Sequence, residues 1–89
     1  MSINRLALVA ARAEALFASS VPTGTQLDRI QLQETVAATV RARGGVRHCA
    51  AEMAAVFGDR PEVAARRMRW ALRLVEAVYG CNAVTVTGR

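Results

Sequence analysis

Apolar residues recur along this chain at helical spacing in four stretches. Over residues 4–19, Leu6, Val9, Ala10, Ala13, Leu16 and Phe17 fall three and four apart, while Arg5, Arg12 and Glu14 lie mostly off that stripe. The spacing predicts an amphipathic helix, with Asn4 placed to accept an orphan N–H at its start. The run SSVPTGT then breaks the pattern. A second helix is expected from Thr25, where Thr25 and Asp28 resemble a capping box. Leu27, Ile30, Val36, Ala37 and Val40 form its apolar face, and Gly44-Gly45 stops it. Arg41 and Arg43 would complement the negative end of that helix.

The third stretch runs from Val46 or Arg47 to Phe57, and Gly58 suits the left-handed residue just past a helix. The fourth begins at once. Asp59 is placed to cap it, Pro61 is tolerated in a first turn, and Glu62 follows Asp59 by three. It extends to Val78 or Tyr79 and ends at Gly80. The remainder, CNAVTVTGR, alternates at Val84 and Val86 but is too short to fold alone. The expectation is an all-α protein: one domain over residues 1–80, a small bundle of about four helices, with a tail over 81–89.

Composition sharpens this picture. A chain of 89 residues buries only about 60% of its unfolded surface, and many such chains gain the rest by pairing with a second copy. More than half the residues are apolar, much of that alanine, which favours helix but fills little volume. The core therefore depends on a few large side chains: Leu6, Leu8, Leu16, Phe17, Leu27, Ile30, Met53, Phe57, Met68, Trp70, Leu72, Leu74 and Tyr79.

The net charge is +5, and every basic residue is arginine. An Ala- and Arg-rich, Lys-free composition is what a GC-rich genome yields, but codon usage does not explain placement. Between Arg41 and Arg73 lie eight arginines against three acids, Glu52, Asp59 and Glu62. At about 100° per residue, Glu62, Arg66, Arg69, Arg73 and Glu76 share one polar arc of the fourth helix. Ala64, Met68, Ala71, Leu72, Val75 and Val78 lie opposite. Arg67 is the exception, pointing to the Val63–Leu74–Val78 edge, where a phosphate or a partner carboxylate would give it a use.

The third and fourth stretches carry a resemblance. Glu52-Met53-Ala54-Ala55-Val56-Phe57-Gly58, then a gapless run to Arg67-Met68 and Ala71-Leu72, resembles the helix-turn-helix of bacterial sigma-factor region 4 and of related response-regulator domains. Met53, Ala54, Phe57, Gly58, Arg67, Met68, Ala71 and Leu72 match the pattern. Pro61, Ala64, Trp70 and the lead-in VRHCAA depart from it. The resemblance implies DNA binding. Arg67 would touch backbone phosphate, and Arg60, Glu62, Val63 and Arg66 would face the groove, with Arg69 and Arg73 adding basic groups. Ala54 would be the small residue where the helices cross.

The rival reading is a helical protein-interaction or dimerisation module without nucleic-acid contact, binding itself or a component of the transcription machinery. Trp70, at the border of the apolar and basic arcs, would be its interface anchor. Other chemistry is poorly supplied. One histidine and two distant cysteines, Cys49 and Cys81, lack the ligand count of a zinc site; Cys49 reads as a buried small residue and His48 as solvent-facing. No catalytic acid pair, glycine-rich phosphate loop or small-molecule substrate site is evident, so no enzyme activity and no cofactor are expected. With no apolar stretch near the ~20 residues of a membrane span, no membrane partner and a cytoplasmic location are expected.

Overall fold

The computed structural model describes residues 5–80, with side chains for 6–79. The expected cap at Asn4 and the tail over 81–89 lie outside the described residues. As the periodicity predicts, the described residues form helices packed on one another, with no strand among them. They are α1 (Arg5–Ala18), α2 (Arg29–Arg43), α3 (Val46–Asp59) and α4 (Pro61–Val75), the last running into a π-helical turn over Glu76–Gly80. No helix among the described residues is long and apolar enough to cross a membrane.

The axis of the bundle is α1, which packs against each of the other three helices. Ala13, Ala15, Leu16, Phe17 and Ala18 are all buried, so apart from the half-buried Glu14 this half of α1 is covered nearly all round rather than along one stripe. Ala13 and Leu16 share the main core cluster with Leu32, Trp70, Ala71, Leu74 and Val75. Ala15 and Ala18 pack with Cys49 in a second cluster. Phe57, near the far end of α3, stacks on Phe17 with ring centroids 6.0 Å apart. Both ends of α3 therefore rest on the last turns of α1, and α3 lies across that end. Helix α4 runs back along α1: Arg67 bonds to Phe17, while Arg12 lies 3.7 Å from the ring centroid of Tyr79. Leu6 and Leu8, expected in the core, are exposed, Leu6 at 78%. The core gathers on the second half of α1 and reaches back only to Val9.

Two helix boundaries differ from expectation. Thr25 does not cap α2, because its N–H and hydroxyl both donate to the Pro22 carbonyl, at 3.2 and 2.7 Å. They close a turn whose Gly24 has φ +96°, the left-handed value that a type II turn demands at that position. The cap is Asp28. Its carboxylate accepts the Gln31 N–H at 2.8 Å, and the Gln31 side chain accepts the Asp28 N–H at 2.9 Å, a reciprocal pair that satisfies two orphan donors. Leu27 and Leu32, flanking this cap, both reach the core. The inner face of α2 is Leu32, Val36, Thr39 and Val40. Ile30 is instead 64% exposed, and Ala37 is exposed too. As expected, α2 stops at Gly44 and Gly45, which have φ +86° and +129°.

The α3–α4 junction is the second difference. Gly58 is not left-handed: α3 continues through Gly58 and Asp59, and Arg60 alone separates the helices at φ −140°, ψ 74°. The Arg60 N–H donates to the Val56 carbonyl at 2.7 Å, and its own carbonyl accepts the Ala64 N–H at 2.9 Å. One residue thus closes one helix and opens the next, so Asp59 is not needed as a cap. Ala54 is exposed rather than at the crossing, and α3 packs inward through Cys49, Met53, Val56 and Phe57.

Candidate nucleic-acid interface

On α4, burial divides the polar arc from the core as the spacing predicts. Ala64, Trp70, Ala71, Leu74 and Val75 are buried, whereas Arg66, Arg69 and Arg73 are exposed. Glu62 and Glu76 are exposed toward the two ends of the same arc, and Arg60 and Val63 are exposed at its start. The three arginines span roughly 10 Å of helix at about 1.5 Å per residue. Among the described residues the ion pair is Arg43 with Glu52, Nε to Oε2 at 3.2 Å; Arg66, Arg69 and Arg73 have no carboxylate partner there.

Arg67 does not belong with them. Its Nε donates to the Phe17 carbonyl at 2.8 Å and its Nη1 to Thr23 Oγ1 at 2.8 Å. Its Nη2 donates to the carbonyls of Ser19 at 3.0 Å and Leu16 at 3.4 Å. The guanidinium also lies 5.7 Å from the Phe17 ring centroid and 4.9 Å from that of Trp70. Carbonyls at a helix C-terminus have no partner within their own helix and carry the negative end of its dipole, so a cation is well placed there. Burial draws the Arg67 pKa below its ordinary value, which starts high enough to keep the group charged. The inward arginine that sequence reasoning assigned to a phosphate or a carboxylate is spent on the end of α1.

Arg43 does related work, donating from Nη2 to the Ala18 carbonyl at 2.7 Å. It was expected to complement α2; it serves α1 instead. Two arginines from two other helices therefore cover the Leu16–Ser19 carbonyls. A helix end 25 residues away in sequence from Arg43, and 48 to 51 from Arg67, leaves no local signal, which is why this use was not foreseen.

Trp70 is 9% exposed and lies in the main core cluster. Its Nε1–H donates to the Thr25 carbonyl at 3.0 Å, so it does not project as an interface anchor. That bond and the one from Arg67 to Thr23 hold the loop over residues 19–28 alongside α4. Between them opens a shallow cleft of about 270 Å³ lined by Thr25, Gln26, Trp70, Arg73, Leu74 and Ala77. Thr25 and Gln26 were missed because the sequence reading put them inside α2; the Pro-Thr-Gly-Thr turn was the available signal.

Cys49 is fully buried and His48 exposed, as the sequence suggests. Burial raises the Cys49 thiol pKa, Glu52 and Glu14 add to the rise, and Arg43 opposes it. Among the described residues no group of His, Cys, Asp and Glu could hold a metal ion. No protein-family model matches the chain, and no curated protein or solved structure matches it. The helix-turn-helix resemblance accordingly rests on residues 52–72 alone. Its hairpin has a one-residue junction, where such motifs usually carry a turn of about three or four.

Proposed function

We propose that this is a non-enzymatic, transcription-associated DNA-binding protein whose contact surface is the outer arc of α4. Arg66, Arg69 and Arg73 meet the phosphate backbone, and Arg60, Glu62 and Val63 lead the approach. One observation carries the reading: three arginines stand exposed in line on one helix face, none of them in an ion pair among the described residues, with Glu62 and Glu76 only at the two ends of the row. Guanidinium forks bind phosphate oxygens two at a time, and the chain's charge of +5 favours encounter with a polyanion. Arg67 drops out of the phosphate-contact set, because its guanidinium is engaged inside the fold, and Trp70, held by the Thr25 carbonyl, does not project as an anchor.

The test is a titration of labelled oligonucleotide in dilute buffer, repeated across salt concentrations. Counterion release gives a slope of log affinity on log salt of about −0.9 per phosphate neutralised on a duplex and about −0.7 on a single strand. The triple variant Arg66→Ala, Arg69→Ala, Arg73→Ala should fold, bind more weakly and flatten that slope by roughly 2 to 3. Absence of capture by the wild type at low salt would overturn the proposal, as would a triple variant that binds with an unchanged slope.

A further inference from the structure

We infer that the strand this surface takes is unpaired, and that the cleft beside Arg73 seats one of its bases. The inference rests on the nucleic-acid reading above and deepens it. The cleft is walled by Trp70, Leu74 and Ala77 on its apolar side, and by Thr25, Gln26 and Arg73 on its polar side. At about 270 Å³ it far exceeds a water molecule's share of about 30 Å³. It falls just below the ~300–1,000 Å³ of pockets that enclose a whole ligand. That size and mixture suit one planar, hydrogen-bonding ring whose remaining bulk stays in solvent.

A nucleobase is such a ring, and it arrives attached to the phosphate for which Arg73 is placed. Arg73 both lines the cleft and ends the row that begins at Arg66, so a strand lying along that row brings its bases to the cleft mouth. Gln26 is exposed, and its amide offers both a donor and an acceptor to a base edge. The wall is set before any ligand arrives. Trp70 is held by its bond to the Thr25 carbonyl at 3.0 Å, the Arg67 guanidinium packs 4.9 Å from its ring centroid, and Thr25 is tied to Pro22. Ligand binding therefore does not have to order it. A duplex base must leave its stack and its partner to enter a side cleft; an unpaired base is spared that.

Trp70 is the chain's single tryptophan, so its emission reports directly on the cleft. The full chain is titrated with an oligothymidylate of about twelve nucleotides, an abasic strand of the same length, and a duplex of that length. The oligothymidylate is expected to quench Trp70 and to bind about tenfold tighter than the duplex, while the abasic strand binds without quenching. Gln26→Ala, on an exposed residue, should fold and weaken the oligothymidylate alone. If strands are captured with Trp70 emission unchanged, or the duplex binds as tightly, the base seat is overturned while the arginine surface stands. If none of the three ligands is captured, both fall.

Discussion

Arg66 and Arg67 are adjacent in the chain, identical in chemistry and opposite in use. Arg66 is exposed without a carboxylate partner among the described residues; Arg67 makes four hydrogen bonds inside the bundle. A helix turns about 100° per residue, which is enough to send one guanidinium to solvent and the next to the end of α1. A count of positive charge cannot separate them. Of the eight arginines from Arg41 to Arg73, six are exposed, and the remaining two, Arg43 and Arg67, close the carbonyls of α1. Only the first group is available to a ligand.

The largest expected effect breaks the inner member. Arg67→Ala takes the arginine donor from the Phe17 and Ser19 carbonyls and from Thr23, leaves the Leu16 carbonyl only its bonds from Ser19, and removes a cation from two aromatic rings. Hydrogen bonds to a charged group contribute about 1.5–3 kcal/mol and lost burial adds to that, so a fall of about 2–4 kcal/mol is expected by urea denaturation. Arg66→Ala should stay within about 0.5 kcal/mol of wild type. Lysine at position 67 should recover only part of the loss, since one ammonium cannot reproduce a planar fork with several fixed donors. Equal losses at 66 and 67 would dissolve the contrast.

Next in size is Trp70→Phe. It keeps an aromatic ring in the core but leaves the Thr25 carbonyl without its donor, at a cost of about 1–2 kcal/mol by the same denaturation. An unchanged midpoint would mean that the 19–28 loop is not held to α4 through this bond.

The two faces of α4 were legible in the sequence and the partners of Arg67 were not, for a physical reason. Helical spacing alone placed Arg66, Arg69 and Arg73 together and Ala64, Ala71 and Val75 opposite, because α4 separates its polar and apolar residues sharply. In α2, Ile30 and Leu32 are equally apolar two residues apart, and only packing against α1 chooses Leu32. Thr25 and Asp28 are both good caps, and the choice fell to Asp28 because Gly24 let Thr25 close a turn on Pro22. Gly58 looked like a helix stop, yet glycine only permits a left-handed residue and does not compel one. Arg67 was rightly singled out as misplaced for a solvated face. Its partner, the end of another helix, exists only once the chain has folded.

A smaller effect sharpens the contrast on the binding side. Arg66→Ala should flatten the salt slope for a single strand by about 0.7, one phosphate's worth. Arg67→Lys, studied where it is still folded, should leave the slope at the wild-type value. A slope that responds to residue 67 and not to residue 66 would reverse the two assignments.

The smallest effect concerns Arg43, the second arginine on the end of α1, and the thiol beside it. Cys49 has its pKa raised by burial, then by Glu52, with Arg43 opposing and Glu14 adding. Between the unfolded and folded values, the native state holds a proton that the unfolded chain has released. Stability is therefore whole below the unfolded thiol value of about 8.5 and falls as pH climbs from there to the folded value. Arg43→Ala removes the contribution that lowers the folded pKa, so the fall continues to a higher pH and becomes larger in total. Its effect at neutral pH should be only about 1 kcal/mol, since one carbonyl bond and one half-exposed ion pair are lost. Cys49→Ala should erase this part of the alkaline fall, whatever it does to the midpoint at neutral pH. The comparison is between the slopes of midpoint against pH in the three proteins. If Cys49→Ala follows the wild-type slope, the thiol does not carry the alkaline loss, and Arg43 acts on α1 alone.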